Sequence, residues 1–354
     1  MHYIYIILLL ILLFFIIYEL IYKINFIENF IVNTNKPVNS YIDNEINKMT
    51  ISNNLISNIQ SCIDTSYPLS QYAIKSSYNS CNSGTCVSTN AIQYVIKRGC
   101  RFLDFEVYID ENNNSPFAIV SYSNATINNI TNTNTVKLDS INTLMLDDVF
   151  STCISNAFSA SNAPNFKDPL FIQLRLKTGK SSLQPIINSI KYTLIPKLYI
   201  NSINNIAIPV NSNTLLKDIM GKIILVVDSN LLDITLIKQY INISSNTQNW
   251  KKYYYRNIDN MTTNPPTINL NKNNNITSVN NLSMILPSSF NDTNIPTPFS
   301  VFSEYGIQTL LVPFYSINNQ NLILYEQLFN TAKGGVVPFS VIISYSNDFL
   351  SNKN

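Results

Sequence analysis

Histidine is the first shortage. The chain of 354 residues has one, His2, and none after it. A chain without imidazole beyond its first residues has no histidine for a zinc site and no Ser–His or Cys–His nucleophile pair. Glycine is scarce as well: seven residues leave no Gly-x-Gly-x-x-Gly loop and no Walker-type phosphate loop. Charged residues make up 12% of the chain, four of them arginines, and they nearly balance at +2. No basic run is present, which excludes the electrostatic footprint of a nucleic-acid binder. The five cysteines, Cys62, Cys81, Cys86, Cys100 and Cys153, are an odd number and cannot form a complete disulfide framework. They read as mostly free thiols, with a small Cys81–Cys86 loop disulfide left open. No zinc spacing is present.

What is abundant is asparagine, about 15% of the chain, with much isoleucine and tyrosine. This is the composition of an AT-rich genome, such as that of a large DNA virus or a protist, and says little about chemistry. Sequons such as Asn124-Ala-Thr and Asn275-Ile-Thr follow from so much asparagine and are not read as glycosylation sites.

From Tyr3 to Tyr18 no residue is charged, and Glu19 is the one acid before Tyr22. Roughly 20 apolar residues in a helix cover the hydrocarbon core of a bilayer. A cleaved signal peptide wants a basic start and a small-residue cleavage site, and neither is present. Residues 1–23 are therefore expected to be an uncleaved single-pass membrane anchor, with the side of the membrane undetermined. Residues 24–60 read as a polar stalk ending in a short helix near Ile51–Ile59.

From about residue 61 to 350, short apolar runs alternate with amphipathic stretches. Strands are expected at Gln71–Ser76, Arg101–Ile109, Leu170–Leu176, Ile223–Asp228, Ser283–Leu286, Thr309–Tyr315 and Val337–Ser344. Helices are expected at Ser88–Arg98, Leu144–Phe158, Leu183–Lys197 and Asn321–Thr331. Continuous apolar strands separated by helices indicate a parallel sheet covered by helices. Seven or eight such units suit an α/β fold of the TIM-type (β/α)8 kind. Residues 258–282, rich in Asn and Thr with Pro265-Pro266, read as a long loop between two halves. The Trp250–Arg256 run reads as a strand with one packed face, or as a lipid contact.

Three passages occur in a telling order: Tyr67-Pro-Leu-Ser-Gln-Tyr…Ser76-Ser-Tyr-Asn79, then Arg98-Gly-Cys-Arg-Phe-Leu-Asp-Phe-Glu106, then Leu216-Lys-Asp-Ile-Met-Gly-Lys-Ile-Ile-Leu225. They resemble the X region of phosphoinositide-specific phospholipase C, and Tyr305–Tyr315 with Asn321–Tyr325 looks like that family's Y region. The resemblance spans about residues 66–345. It implies a barrel of the PLC-like phosphodiesterase kind. In that family two histidines act as base and acid: the inositol 2-hydroxyl attacks phosphorus and diacylglycerol departs. A calcium ion, or an arginine in bacterial members, offsets the phosphate charge.

Carried over residue by residue, the first histidine falls on Tyr78 and the second near Ser121 or Tyr122. Neither is imidazole, and a tyrosine with an ordinary pKa of about 10 is a poor base at neutral pH. Of the calcium ligands, Asn79 is kept, Asp104 and Glu106 stand with the acid types exchanged, and the next acid position is Arg175. The family's substrate lysines fall on Val226 and Asp228. Asn79, Arg101, Asp104, Glu106 and Arg175 are thus candidates for a phosphate or headgroup pocket, and equally for a buried ion-pair network. No cofactor is expected; calcium at Asn79, Asp104 and Glu106 is opposed by Arg175.

Three functions remain open. One is a membrane-tethered pseudoenzyme that binds a phosphoinositide or other lipid headgroup, or a protein. Another is a phosphodiesterase with Asp104 or Glu106 as base and Arg175 as phosphate clamp. The last is an interaction protein that uses the barrel as scaffold.

Overall fold

The structure is a computed structural model that describes residues 35–52, 58–110, 116–124, 137–177, 183–228, 236–245, 250–258, 279 and 281–351. The chain divides into two compact units, residues 1–44 and 45–354. The expected anchor at 1–23 lies outside the described residues, as do residues 24–34 of the stalk. Among the described residues no helix is long and apolar enough to cross a membrane. Helix α1 runs over Asn35–Ser52, earlier in the chain than the helix expected at Ile51–Ile59; residues 53–57 are not described.

Eight parallel strands form the larger unit: β2 (Ser76–Ser77), β3 (Phe102–Asp110), β6 (Leu170–Leu176), β7 (Ile223–Asp228), β8 (Ile243–Ser245), β9 (Trp250–Tyr254), β10 (Leu282–Leu286) and β11 (Thr309–Val312). Their order is β8-β7-β6-β3-β2-β11-β10-β9. The end strands β8 and β9 follow each other in the chain and lie against each other, so the sheet is a nearly closed barrel. β4 (Phe117–Ser121) turns back antiparallel on β3 and carries the short β5 (Leu144–Met145).

Period-two alternation divides each strand between two cores. Phe102, Phe171, Ile224, Val226, Met284 and Leu311 fill the barrel. Leu103, Phe105, Ile172, Leu174, Leu225 and Val227 face outward into the layer shared with the helices. Those helices are α2 (Thr89–Lys97), α3 (Leu146–Ala157), α4 (Gln184–Ser189, continued by a π turn to Leu194), α5 (Leu216–Ile219), α6 (Pro298–Ser303), α7 (Gln320–Thr331) and α8 (Phe339–Ser351). Helix α2 shows the local logic. The Ser88 side chain caps its first turn by accepting from the Asn90 N–H. Ala91, Ile92, Val95 and Ile96 supply its buried face. Gly99, at φ 84°, then turns the chain into β3.

Three expectations are corrected. The (β/α)8 alternation fails between β7 and β10, where among the described residues only 3-10 turns connect strands. The run Val337–Ser344 is not a barrel strand. Only β12 (Val336–Pro338) is extended, pairing antiparallel with β1 (Tyr72–Ile74) outside the barrel ladder. From Phe339 onward the buried residues Phe339, Ile342, Ile343 and Ser346 follow helical spacing, and α8 forms. The expected strand Gln71–Ser76 likewise divides at Lys75 into β1 and β2. The expected loop at 258–282 lies largely outside the described residues, and β10 already begins at Leu282.

Candidate functional site

In a parallel barrel the carboxyl ends of the strands form one mouth, and polar side chains placed there meet. Register brings β3 and β6 together with Asp104 beside Gln173 and Glu106 beside Arg175. Asp104 and Glu106, two residues apart, project from the same face of β3. Just past β2, Asn79 takes a left-handed conformation, φ 43°, which asparagine tolerates better than most residues. Its backbone N–H donates to Asp104 Oδ2 at 3.0 Å.

Arg175 joins all three. Its Nε donates to Asp104 Oδ1 at 2.8 Å and its Nη2 to Asp104 Oδ2 at 2.9 Å. Nη1 donates to Glu106 Oε1 at 2.5 Å, and Nη2 also donates to Asn79 Oδ1 at 2.6 Å. The Tyr78 ring closes one side, with the guanidinium carbon 4.5 Å from its centroid. Glu106 Oε2 accepts from the Tyr108 hydroxyl at 2.7 Å and the Ser123 N–H at 3.2 Å.

The electrostatics follow from burial and pairing. Burial alone would pull Arg175 down, but Asp104, Tyr78 and Glu106 drive it well above its ordinary value. Burial raises Glu106, yet Arg175, Lys177 and the Tyr108 hydroxyl together hold it below the usual carboxylate range. At Asp104 burial prevails over the pull of Arg175, and its carboxyl lies above its ordinary value. The Tyr78 hydroxyl is pushed upward, again mainly by burial.

Of the two positions for the second histidine, Ser121 pairs with Glu106 across the β3–β4 ladder and so shares its face. Its hydroxyl is bonded to that of Ser140. Tyr122 is engaged elsewhere: its hydroxyl donates to the carbonyls of Gly84 and Thr85, both at 3.3 Å. Its ring stacks on Phe290 at 3.9 Å, and Phe290 stacks on Tyr315 at 4.7 Å. Burial raises the Tyr122 hydroxyl to about 12.

Arg101 is not part of this cluster. It precedes β3 at the opposite end from Glu106, roughly 16 Å along a strand. There it donates to Ala157 O at 2.9 Å and Asn165 Oδ1 at 2.8 Å. Burial lowers it to about 10 and raises nearby Asp168 to about 6.

Three features of the mouth escaped the sequence reading. Lys177, directly after β6, is buried, and burial lowers its pKa against the pull of Glu106. Asp228, at a position where the resemblance implies a lysine, is paired with Lys252 of β9, which returns a cation. The Trp250–Arg256 run contains a strand whose Trp250 packs inward beside Phe102 at 5.9 Å. Alternation from Trp250 could have placed Lys252 inside. Finally, Gln173 is fully buried with neither amide atom hydrogen bonded, and Asn79 Nδ2 and Trp250 Nε1 also lack partners.

A nearly closed parallel barrel with a polar mouth of paired carboxylates defines the class. Within it, residues 65–228 match the family described as phosphatidylinositol-specific phospholipase C, X domain. Among solved structures it is similar to L. pealei PLC21, with 14% identity over 78% of this chain and a TM-score of 0.56. S. officinalis PLC21 gives 12% identity over 78% of this chain and a TM-score of 0.53. The match covers 37% of each of those chains, and at this identity the likeness establishes the fold. No curated protein matches the chain.

Proposed function

We infer that this chain is a pseudoenzyme of the PLC X-like class, which binds a lipid headgroup or a protein at a membrane rather than hydrolysing a phosphodiester. One observation carries the reading: the Arg175 guanidinium is bonded at once to Asn79, Asp104 and Glu106, the three candidate calcium ligands. Calcium needs oxygen ligands at about 2.3–2.6 Å, a shell that the guanidinium already occupies with its own positive charge. The residues present therefore do not fit a divalent cation. The acid–base pair is missing too, with Tyr78 and either Ser121 or Tyr122 at its positions. Four of the five guanidinium N–H bonds are spent on protein acceptors, which leaves little for a phosphate. Lys177, with no carboxylate at ion-pair distance among the described residues, is the cation best suited to meet an anionic headgroup. The apolar segment 1–23 supports a membrane tether.

Incubating the full chain with phosphatidylinositol vesicles and calcium tests this. No inositol phosphate release is expected; calcium-stimulated release overturns the reading.

The second reading, a phosphodiesterase with replaced machinery, has one observation in its favour: burial raises Asp104 toward the range of a useful base. Against it, Glu106 is shifted the other way, and both Asp104 oxygens are bonded to Arg175. A measured phosphodiesterase activity abolished by Glu106→Gln would favour it.

A further inference from the structure

Between α4 and α5 the chain forms a hairpin, in which Ile200 pairs with Ala207 and Asn201 N donates to Ile206 O at 2.9 Å. Its tip is tightly fixed. Asn201 and Asn204 side chains accept from the N–H groups of Ile203 and Ile206 at 2.9 and 3.1 Å, and Asn205 adopts φ 55°. This ordered tip presents Ile203 at 92% exposure and Ile206 at 43%.

The Ala207 N–H donates to Gln239 O at 2.8 Å, which joins the hairpin to the turn before β8, where Leu236 is 64% exposed. Lys191 reaches the same place from the helix, its ammonium 6.0 Å from the Tyr240 ring centroid. Lys191 and Lys238 are both exposed. Residues 183–210 and 236–245 contain three lysines and no acid. The carboxylate bonded to this region is Asp147, which accepts from Thr193 at 3.3 Å.

Three exposed branched aliphatic side chains held by an ordered turn, with lysines of one sign beside them, match the chemistry of an anionic bilayer surface. The apolar side chains enter the acyl boundary while the ammonium groups meet lipid phosphates. A protein partner would be expected to meet charges of both signs, and these two segments offer no acid. We propose that this hairpin and turn form a second membrane contact on the barrel, specific for anionic lipid and separate from the Arg175 mouth.

The test uses the full chain reconstituted in vesicles of phosphatidylcholine alone or with phosphatidylserine. Backbone hydrogen exchange is read over residues 200–207 and 236–240. About tenfold slower exchange is expected with phosphatidylserine only. The exposed-site variants Ile203→Asp with Leu236→Asp, and Lys191→Glu with Lys238→Glu, should each abolish it. Equal protection in both vesicle types, or none in either, overturns the proposal. So does protection in detergent that grows with protein concentration, which would identify a second copy as the occupant. None of these outcomes depends on whether the mouth binds or hydrolyses a headgroup.

Discussion

Arg175 grips Asp104 with a two-pronged hydrogen bond across the β3–β6 ladder, Nε to Oδ1 at 2.8 Å and Nη2 to Oδ2 at 2.9 Å. Both residues are buried, and the pair is tied to Glu106 and Asn79 by the same guanidinium. Removing the cation alone leaves two buried carboxylates uncompensated. Arg175→Met should therefore cost about 3–5 kcal/mol in urea denaturation. Replacing the cluster together, with Asp104→Leu and Glu106→Met added, should recover most of that loss. A triple variant as unstable as the single one would show that shape, and not charge, sets the penalty.

The same cluster makes a prediction about calcium. Arg175→Glu places a third carboxylate beside Asp104, Glu106 and Asn79, an oxygen set that suits a divalent cation. Calcium should raise the melting temperature of this variant and leave the parent chain unchanged. Saturation at 100 times the dissociation constant corresponds to about 2.7 kcal/mol. A calcium-induced shift in the parent chain would contradict the view that Arg175 excludes the ion.

Much of this cluster was legible in the sequence because strands keep period two. Asp104 and Glu106 had to share a face, and the resemblance to the X region set Arg175 of the Leu170–Leu176 strand beside them. The same alternation sets Arg101, three residues before Asp104, on the opposite face, and its partners Ala157 and Asn165 lie at the far end. Alternation from Trp250 could place Lys252 inside, but its pairing with Asp228 depends on contacts distant in sequence. The α8 segment misled because Val-Ile-Ile favours a strand locally, while Phe339, Ile342 and Ile343 bury a helical face.

A second buried charge cluster ties α7 to Lys75 and Arg98. Glu326 of α7 accepts from Lys75, between β1 and β2, at 3.0 Å and pairs with Arg98 after α2. Burial raises Glu326, but Lys75 and Arg98 hold it below its ordinary value of 4.5. The unfolded chain therefore binds the proton more tightly. The stabilisation is full above about pH 4.5 and is lost as pH falls through the depressed folded value. Glu326→Gln should lower stability at pH 7 by about 3–5 kcal/mol, and the gap between variant and parent should narrow below pH 4. A gap independent of pH would mean that ionisation of Glu326 contributes nothing.

The loop after Asn79 is held from outside the barrel by Glu45 of α1. Its carboxylate accepts from Ser83 Oγ at 2.7 Å, Thr85 N at 2.7 Å, Thr85 Oγ1 at 2.6 Å and Cys86 N at 3.3 Å. On the other side Tyr122 takes the carbonyls of Gly84 and Thr85, so the loop is clasped twice. Cys86 lies within the clasp as a buried free thiol, and Cys153 is a buried free thiol elsewhere. Glu45→Ala removes the acceptor from four donors without touching the core. Alkylation of Cys86 should then accelerate about tenfold or more through local opening, while Cys153 keeps its protection. Faster labelling of both thiols would indicate global unfolding. Unchanged labelling of Cys86 would show that Tyr122 and the loop's own hydrogen bonds suffice, and that Glu45 is not what holds the edge of the mouth in place.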